Sequence, residues 1–484
     1  MIKQLPKKCT IEIKTEVISV VKGMNVEDVR TLYEKFGFFI EGYQNHPKVQ
    51  AHMWDGKIRF FSMKGVTYTL LLEEILPIIQ KMGYFFTITD DRTGILPKEF
   101  KVTSDIFKDC FDKYNNPFVL RDYQCLVSNI LLEHGNGILV AATSAGKGSI
   151  ICALCKGINS TNGFRTIVIV PNRTLVNQSV AECKQYNLEV GEYSGAVKDI
   201  DHPIVISTWQ TLKNKPEVLQ NFSAVIVDEC HGSRANLLRD LLVEHAQHIT
   251  VRFGVTGTMP PNGAQEYTVK SSLGPIRYSI TAKWLMDNGY ISTLSIRNIN
   301  IIERLDMNYF PDYASEVTYL CRPQRIVLIA KIINAIHAKD PTKNILCLVN
   351  LKSTGNILEQ CLDGSFYIDG DVSAKKRTST LNRYATEDGL KGIATFGVAS
   401  TGVSQDRINI LIFVDAGKSF IKVIQSVGRS LRRGGGKNHA DVYDIGSNLI
   451  FSHDHFKKRI KHYNDANYSH RTTNIDVETV EVTI

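Results

Sequence analysis

The sequence predicts an α/β protein in which two parallel-sheet domains follow one another behind a small α+β unit. Three observations predict it. From Pro117 onward, short apolar strands alternate with helical segments, the rhythm of a parallel sheet wrapped by helices. One such strand ends in Val225-Ile-Val-Asp-Glu-Cys-His231, which puts two carboxylates at its tip. Far downstream, Gln425-Ser-Val-Gly-Arg-Ser-Leu-Arg432 carries two arginines one helical turn apart, able to reach one phosphate. Roughly 200 residues separate the runs, enough for a second domain to intervene.

Residues 1–100 read as the leading α+β unit. Cys9 to Val21 is strand-like, and Asn25 to Phe36 predicts a helix with an Asn cap and Asp28 in its first turn. A Trp-Asp-Gly-Lys turn follows between apolar strands (Met53 to Phe61), then an apolar helix near Thr69 to Met82. Polar residues 101–116 end in Asn115-Asn116-Pro117 and read as a linker. The first parallel-sheet domain is expected over 117–285, with strands at Gly137–Ala141, Thr166–Val170, Ile204–Ser207, Ala224–Val227 and Arg252–Val255. The second is expected over 286–450, with strands at Asn344–Val349, Ile393–Thr395, Ile408–Val414 and Ala440–Ile445. Residues 451–484 read as a basic tail, opening with Phe456-Lys-Lys-Arg-Ile-Lys461 and ending in a Thr/Val-rich strand.

At 484 residues the chain has room for about three domains, each with its own core. A hydrophobic content of 43% and a charged content of 22% belong to an ordinary globular protein, and the net charge of +8 permits a polyanionic partner without demanding one. No run of about 18 apolar residues exists, and the first eight residues lack an apolar core for export. A cytoplasmic protein with no membrane partner is expected. Cys152 and Cys155 form the only C-x-x-C among ten cysteines. They lie in an apolar helical run without a second ligand pair, so buried reduced thiols are expected rather than zinc.

Strand Gly137–Ala141 runs into Ala142-Thr-Ser-Ala-Gly-Lys147 and then an apolar helix, the order that forms a phosphate-binding loop. Thr143, Ser144, Ala145 and Gly146 would offer backbone N–H groups to phosphate oxygens, and Lys147 would reach the β- and γ-phosphates. The pattern G-x-x-x-x-G-K-[ST] fails twice. Ala141 replaces its first glycine, and Gly148 stands where a Mg²⁺-binding hydroxyl belongs. Ser149 is one residue late, about 100° around the helix. Either the turn shifts to present Ser149 to the metal, or Mg²⁺ is held by water, phosphates and Asp228.

Asp228 is expected to hold Mg²⁺ and Glu229 to polarise the attacking water. His231 would contact the seam between domains. Thr256 and Thr258, in Val255-Thr-Gly-Thr258, would link nucleotide state to the acidic segment, although a plain strand-ending turn fits equally. Upstream, Leu120-Arg-Asp-Tyr-Gln124 places Arg121, Tyr123 and Gln124 about one helix before the loop, where Gln124 would read the adenine edge and Tyr123 would stack.

With these segments in order, the chain resembles the superfamily 2 helicases, and within them the phage UvsW-type group. The matching runs are Leu120–Gln124, Thr143–Lys147, Pro171-Asn-Arg-Thr-Leu175, Ser207-Thr-Trp-Gln-Thr211, Asp228–His231, Thr256–Thr258, Ala399-Ser-Thr-Gly-Val-Ser404 and Gln425–Arg432. Trp54-Asp-Gly-Lys-Ile-Arg59 extends the likeness into the leading unit, while Gly148 departs from it. The resemblance implies two tandem RecA-like motor domains that use ATP and Mg²⁺. It implies that Gln425, Arg429 and Arg432 complete the catalytic set from the second domain, the arginines acting on the γ-phosphate, and that Gly402 takes part in coupling. A motor grips the polynucleotide backbone and releases it, which suits hydroxyls and a few cations. Arg173, Thr174, Thr208 and Gln210 would line the first domain, and Ser400 and Thr401 the second; for each threonine a helix cap is the alternative. Trp54 with Lys57 and Arg59 would touch duplex or junction DNA, or simply be a hairpin with a core Trp. The expected activity is 3′-to-5′ unwinding or branch migration of branched DNA in recombination, repair and replication. An RNA helicase, a duplex translocase that does not unwind, and a nucleotide-gated clamp or annealing factor are the alternatives.

Overall fold

Alternation of buried and exposed residues, with Cys9, Ile11 and Ile13 facing inward, makes Lys7–Ile13 (β1) the centre of a half-buried sheet. The computed structural model describes residues 7–94, 99–111, 115–142, 144–231, 235–260, 263–306, 309–400, 407–414, 439–465 and 468–477. Ile18–Lys22 (β2) returns antiparallel to β1, so Cys9 to Val21 is two strands around a turn rather than one. Thr15 caps that turn, its hydroxyl accepting from the Val17 and Ile18 amides at 3.2 and 3.0 Å. Gly37–Phe39 (β3) pairs with Lys57–Arg59 (β4) in a separate ribbon. The Trp-Asp-Gly turn therefore leads into a strand but does not follow one. Val66–Tyr68 (β5) and Tyr84–Asp90 (β6) complete the order β5-β2-β1-β6. Helix Val26–Lys35 begins as expected, with Asn25 Oδ1 accepting from the Asp28 amide at 2.8 Å.

The described residues fall into two compact units, one of residues 1–141 and 146–279 and the other of 142–145 and 280–484. The leading sheet belongs to the first unit and is docked on its parallel-sheet domain. Tyr267, from helix Ala264–Leu273, inserts among Phe36, Phe38 and Phe60, with ring centroids 5.9, 4.3 and 5.7 Å away. Its hydroxyl donates to Glu74 at 2.7 Å, Lys270 donates to the same carboxylate at 2.8 Å, and Arg277 forks onto Glu73 at 2.6 and 2.8 Å.

The large sheet of this unit contains Asn136–Ala141 (β7), Thr166–Val170 (β8), Val190–Ser194 (β9), Val197–Lys198 (β10), Ile204–Thr208 (β11), Ala224–Asp228 (β12), Val251–Thr256 (β13) and Ile276–Ile280 (β14). Its order is β10-β9-β11-β8-β12-β13-β7-β14. The central strands pair in parallel, so β7, β8, β11, β12 and β13 all end on one edge. Strands buried on both faces read as continuous apolar runs, which is why these five stood out in the sequence. The shorter, more polar β9, β10 and β14 did not. Residues 101–111, expected in a linker, pack on this domain: Val102 and Asn129 exchange two hydrogen bonds at 2.8 and 2.9 Å, and Lys156 donates to the Ile106 carbonyl at 2.6 Å.

The second unit is a parallel sheet of Thr293–Ile302 (β15), Ile345–Val349 (β16), Ser365–Ile368 (β17), Lys391–Thr395 (β18), Ile410–Phe413 (β19), His439–Ser447 (β20) and His470–Asp476 (β21), in the order β17-β18-β16-β19-β20-β15-β21. The segment expected as a basic tail is built into it. Strand β21 pairs along β15, and helix Ile450–Asp465 buries Arg459 against Asp444 at 2.8 Å, with the Tyr463 hydroxyl donating to the same carboxylate at 2.9 Å. Of the basic run, Lys457, Lys458 and Lys461 remain exposed while Arg459 belongs to the core.

Candidate nucleotide site and polynucleotide edge

Strands β7 and β12 flank β13, so the three strand ends bring the phosphate loop, the acidic pair and the Val-Thr-Gly-Thr turn together. Gly146 caps helix Lys147–Asn159 with φ of +77°, a left-handed conformation that glycine takes without strain. A Cβ there would also sit 2.3 Å from Gln124 Nε2. Gln124 is buried, and its Oε1 accepts from the Arg121 amide at 2.8 Å, so this side chain is pinned against the loop glycine. Tyr123 is buried too, its hydroxyl accepting from Arg121 at 3.0 Å. Its ring is therefore packing and offers no surface on which adenine would stack.

Lys147 Nζ lies 3.3 Å from Glu229 Oε1 and 3.3 Å from where a Cβ of Gly257 would be, across the end of β13. Glu229 holds a φ of +50°, unusual for a residue with a side chain and costing about 1–3 kcal/mol. It is kept there by several partners: its amide donates to Asp228 Oδ1 at 3.0 Å, and His231 Nδ1 lies 3.2 Å from Oε2. The same His231 nitrogen meets Thr256 Oγ1 at 2.5 Å, and Thr256 donates to the Thr258 carbonyl at 2.7 Å. A continuous polar chain thus runs from Lys147 through Glu229 and His231 to Thr256 and Thr258.

The two acids are pushed in opposite directions. Burial raises Asp228, and repulsion from Glu229 adds to it. Burial would raise Glu229 as well, but Lys147 and then His231 outweigh it and hold the carboxyl below its usual range. One carboxylate is thereby kept ionised beside a lysine, while its neighbour is shifted toward its protonated form.

The other half of the edge is formed by β8 and β11, neighbours in parallel register. Beyond β8, Asn172 caps helix Arg173–Gln185, which starts with exposed Arg173 and Thr174. Beyond β11, Thr208 is buried and caps helix Trp209–Asn214, accepting from the Thr211 amide at 3.3 Å. The capping role holds for Thr208. Exposed Gln210 is tied across to the first loop, its Nε2 donating to the Pro171 carbonyl at 3.5 Å.

Three family models match in succession: UvsW helicase N-terminal domain over residues 11–89, type III restriction enzyme res subunit over 117–261, and helicase conserved C-terminal domain over 326–434. The ATP-dependent DNA helicase uvsW of Enterobacteria phage T4 is 24% identical over 439 residues, covering 86% of each chain. This chain belongs to the UvsW-type superfamily 2 helicases. The DNA 3′-5′ helicase XPB of Kineococcus radiotolerans is 25% identical over 394 residues, covering 75% of this chain and 66% of that one. The crystal structure of T4 UvsW superposes with a TM-score of 0.50 at 20% identity over 97% of this chain and all of that one, and an HsdR fragment from Vibrio vulnificus with 0.57 at 16% over 78% and 72%. Two RecA-like domains behind an accessory domain are thereby established, in an ATP-dependent helicase enzyme.

In this helicase Thr143, Thr401, Gly402, Gln425, Arg429 and Arg432 lie outside the described residues, as does the side chain of Ser400, which ends helix Phe396–Ser400 after β18. The Ser149 hydroxyl is hydrogen-bonded to that of Tyr186 at 2.8 Å, on the neighbouring helix. In the leading unit, Trp54 Nε1 donates to the Lys57 carbonyl at 3.0 Å, Lys57 pairs with Glu34 at 3.0 Å, and Arg59 forks onto Asp55. Both cations of that motif are committed to acids of their own unit. Sequence reasoning missed Glu182, whose carboxylate sits against Gly148. No motif spacing marks it, and only the faulty glycine invited a search for what fills its place.

Among the described residues no helix is long and apolar enough to cross a membrane. Cys152 and Cys155 are buried and free, with Cys152 3.9 Å from Cys183 across the helix pair.

Proposed function

We propose that this helicase couples ATP hydrolysis to movement along DNA, remodelling forks, four-way junctions and displacement or R-loops in recombination, repair and replication restart, with 3′-to-5′ polarity. The convergence of Lys147, Asp228 and Glu229 on one half of a sheet edge, with Arg173 and Gln210 on the other, carries the reading. The names of the T4 and XPB relatives support DNA and the polarity, and the N-terminal match over 11–89 supports a motor of the UvsW kind. We assign the leading domain to residues 1–100, the motor domains to 117–285 and 286–450, and a host-cytoplasmic setting by the same analogy.

Lys147 would bind the terminal phosphates, exchanging its ion pair with Glu229 for them. Glu229, released, would orient the attacking water, and His231 would report the change to Thr256. Arg429 and Arg432, with Gln425 beside them in sequence, would supply cations from the second domain. Asp228 fits Mg²⁺ by its chemistry, a half-buried carboxylate at a strand end beside a second acid. Mg²⁺, when bound, neutralises charge on the β- and γ-phosphate oxygens.

The test is the ATPase rate with single-stranded DNA, forked DNA, a four-way junction and duplex RNA, with Lys147→Ala as control. The largest stimulation is expected with fork and junction. Stimulation by RNA alone would overturn the DNA reading, and none by any polymer would overturn the motor and favour a clamp.

A further inference from the structure

Gly148 is the first residue after Lys147, on the opening turn of helix Lys147–Asn159. It lacks the hydroxyl that a nucleotide-bound metal would use there, and Ser149 has given its own to Tyr186 at 2.8 Å. The vacancy is filled from the next helix. Glu182, on Arg173–Gln185, places its carboxylate so that a Cβ on Gly148 would lie 2.1 and 2.2 Å from its two oxygens and 2.3 Å from its carboxyl carbon. No residue but glycine leaves that space. The seat is fixed on both sides, because Glu182 and Tyr186 lie one turn apart on one face, and Cys183 between them meets Cys152 at 3.9 Å. The carboxylate rests at a helix N-terminus, where backbone N–H groups lack intrahelical acceptors and favour an anion. Lys147, the residue before Gly148, meets Glu229, the residue after Asp228, at 3.3 Å, so this helix start and the acidic pair face one another at the same sheet edge.

We infer that Glu182 replaces the missing hydroxyl: seated over Gly148, its carboxylate holds the nucleotide's Mg²⁺ together with Asp228, directly or through a bound water. Two hard anionic oxygen donors suit Mg²⁺, which takes one or two carboxylates plus phosphates and keeps several waters. Glycine and glutamate then form one device, since the glycine exists to admit the carboxylate. The inference rests on the nucleotide reading of this cleft.

Mg²⁺ is titrated into the full chain with a fluorescent methylanthraniloyl-ADP, and the half-saturating Mg²⁺ concentration is compared with binding in EDTA. Glu182→Gln, nearly isosteric, should raise the Mg²⁺ requirement about tenfold without weakening binding in EDTA. Gly148→Ala, whose Cβ evicts the carboxylate without supplying a donor, should do the same. Gly148→Ser combined with Glu182→Ala should restore most of the loss. An unchanged Mg²⁺ requirement in Glu182→Gln would overturn the role. So would tighter binding in EDTA with no rise in the Mg²⁺ requirement, which would make Glu182 a plug occupying the phosphate position. A wild-type chain that binds no nucleotide under either condition would sink the nucleotide reading itself.

Discussion

The cation of the nucleotide cleft and the cations of the leading unit look alike as sequence, a lysine that directly follows a glycine turn, with Arg59 two residues beyond the second. They differ in where their partners come from. Lys147 meets Glu229 across three strand ends, with side chains only 17% and 21% exposed. Lys57 and Arg59 meet Glu34 and Asp55 inside one small unit, and those acids are 48% and 45% exposed. A pair in the second setting is screened by water and contributes little. A pair in the first is held out of water by the sheet, together with a second acid and a backbone in the left-handed region, a combination that a fold keeps at a functional site.

The strongest way to break the contrast is to remove the cleft's charges. Lys147→Ala should lower polymer-stimulated ATPase by about a hundredfold or more. Glu229→Gln should lower it comparably while leaving nucleotide binding in place, because glutamine keeps the shape but cannot take a proton from water. Single-turnover hydrolysis and equilibrium binding separate the two. Hydrolysis within a few-fold of wild type in either variant would mean that this cleft is not where the chemistry occurs.

That site was legible because its strands are buried on both faces. Runs such as Thr166–Val170 and Ala224–Asp228 carry no polar alternation, so their ends, and the residues hung on them, announced themselves. What was not legible depended on contacts between segments with no pattern of their own. Glu182 is one polar residue on an ordinary amphipathic helix, and Ser149's bond to Tyr186 joins two helices. The tail was misread for a related reason: Phe456-Lys-Lys-Arg-Ile-Lys461 is basic in sequence, but Arg459 sits on the face that meets Asp444. Tyr267 likewise gave no sign that it would anchor another domain.

That anchor sets the second prediction. Tyr267→Ala removes a ring packed among Phe36, Phe38 and Phe60 and leaves Glu74 with one donor fewer. It should cost about 2 kcal/mol in urea unfolding, more than any single ion pair of the leading unit. Faster proteolysis between the leading sheet and residue 117, with cleft binding of nucleotide retained, would show that docking rather than the motor core was lost. An unfolding midpoint equal to wild type would mean that the two parts are not held together through this residue.

The smallest effect is expected at the Trp-Asp-Gly-Lys motif, and it tests the contrast most sharply. Arg59's hydrogen bonds hold the Asp55 carboxyl down at about 2, so the pair is intact at neutral pH and is lost only as pH falls from Asp55's unfolded value toward that one. At the pH of a binding assay each cation is already matched by an acid. Lys57→Ala should therefore change stability by less than about 1 kcal/mol. It should also leave the slope of log affinity against log salt for forked DNA where it was, because a cation that never leaves Glu34 releases no counterion from a phosphate. A slope reduced by about one would mean that Lys57 abandons Glu34 for the backbone on binding. The leading unit would then be a DNA contact as well as a docked sheet, and exposure rather than distance would be what separates a resting ion pair from a working one.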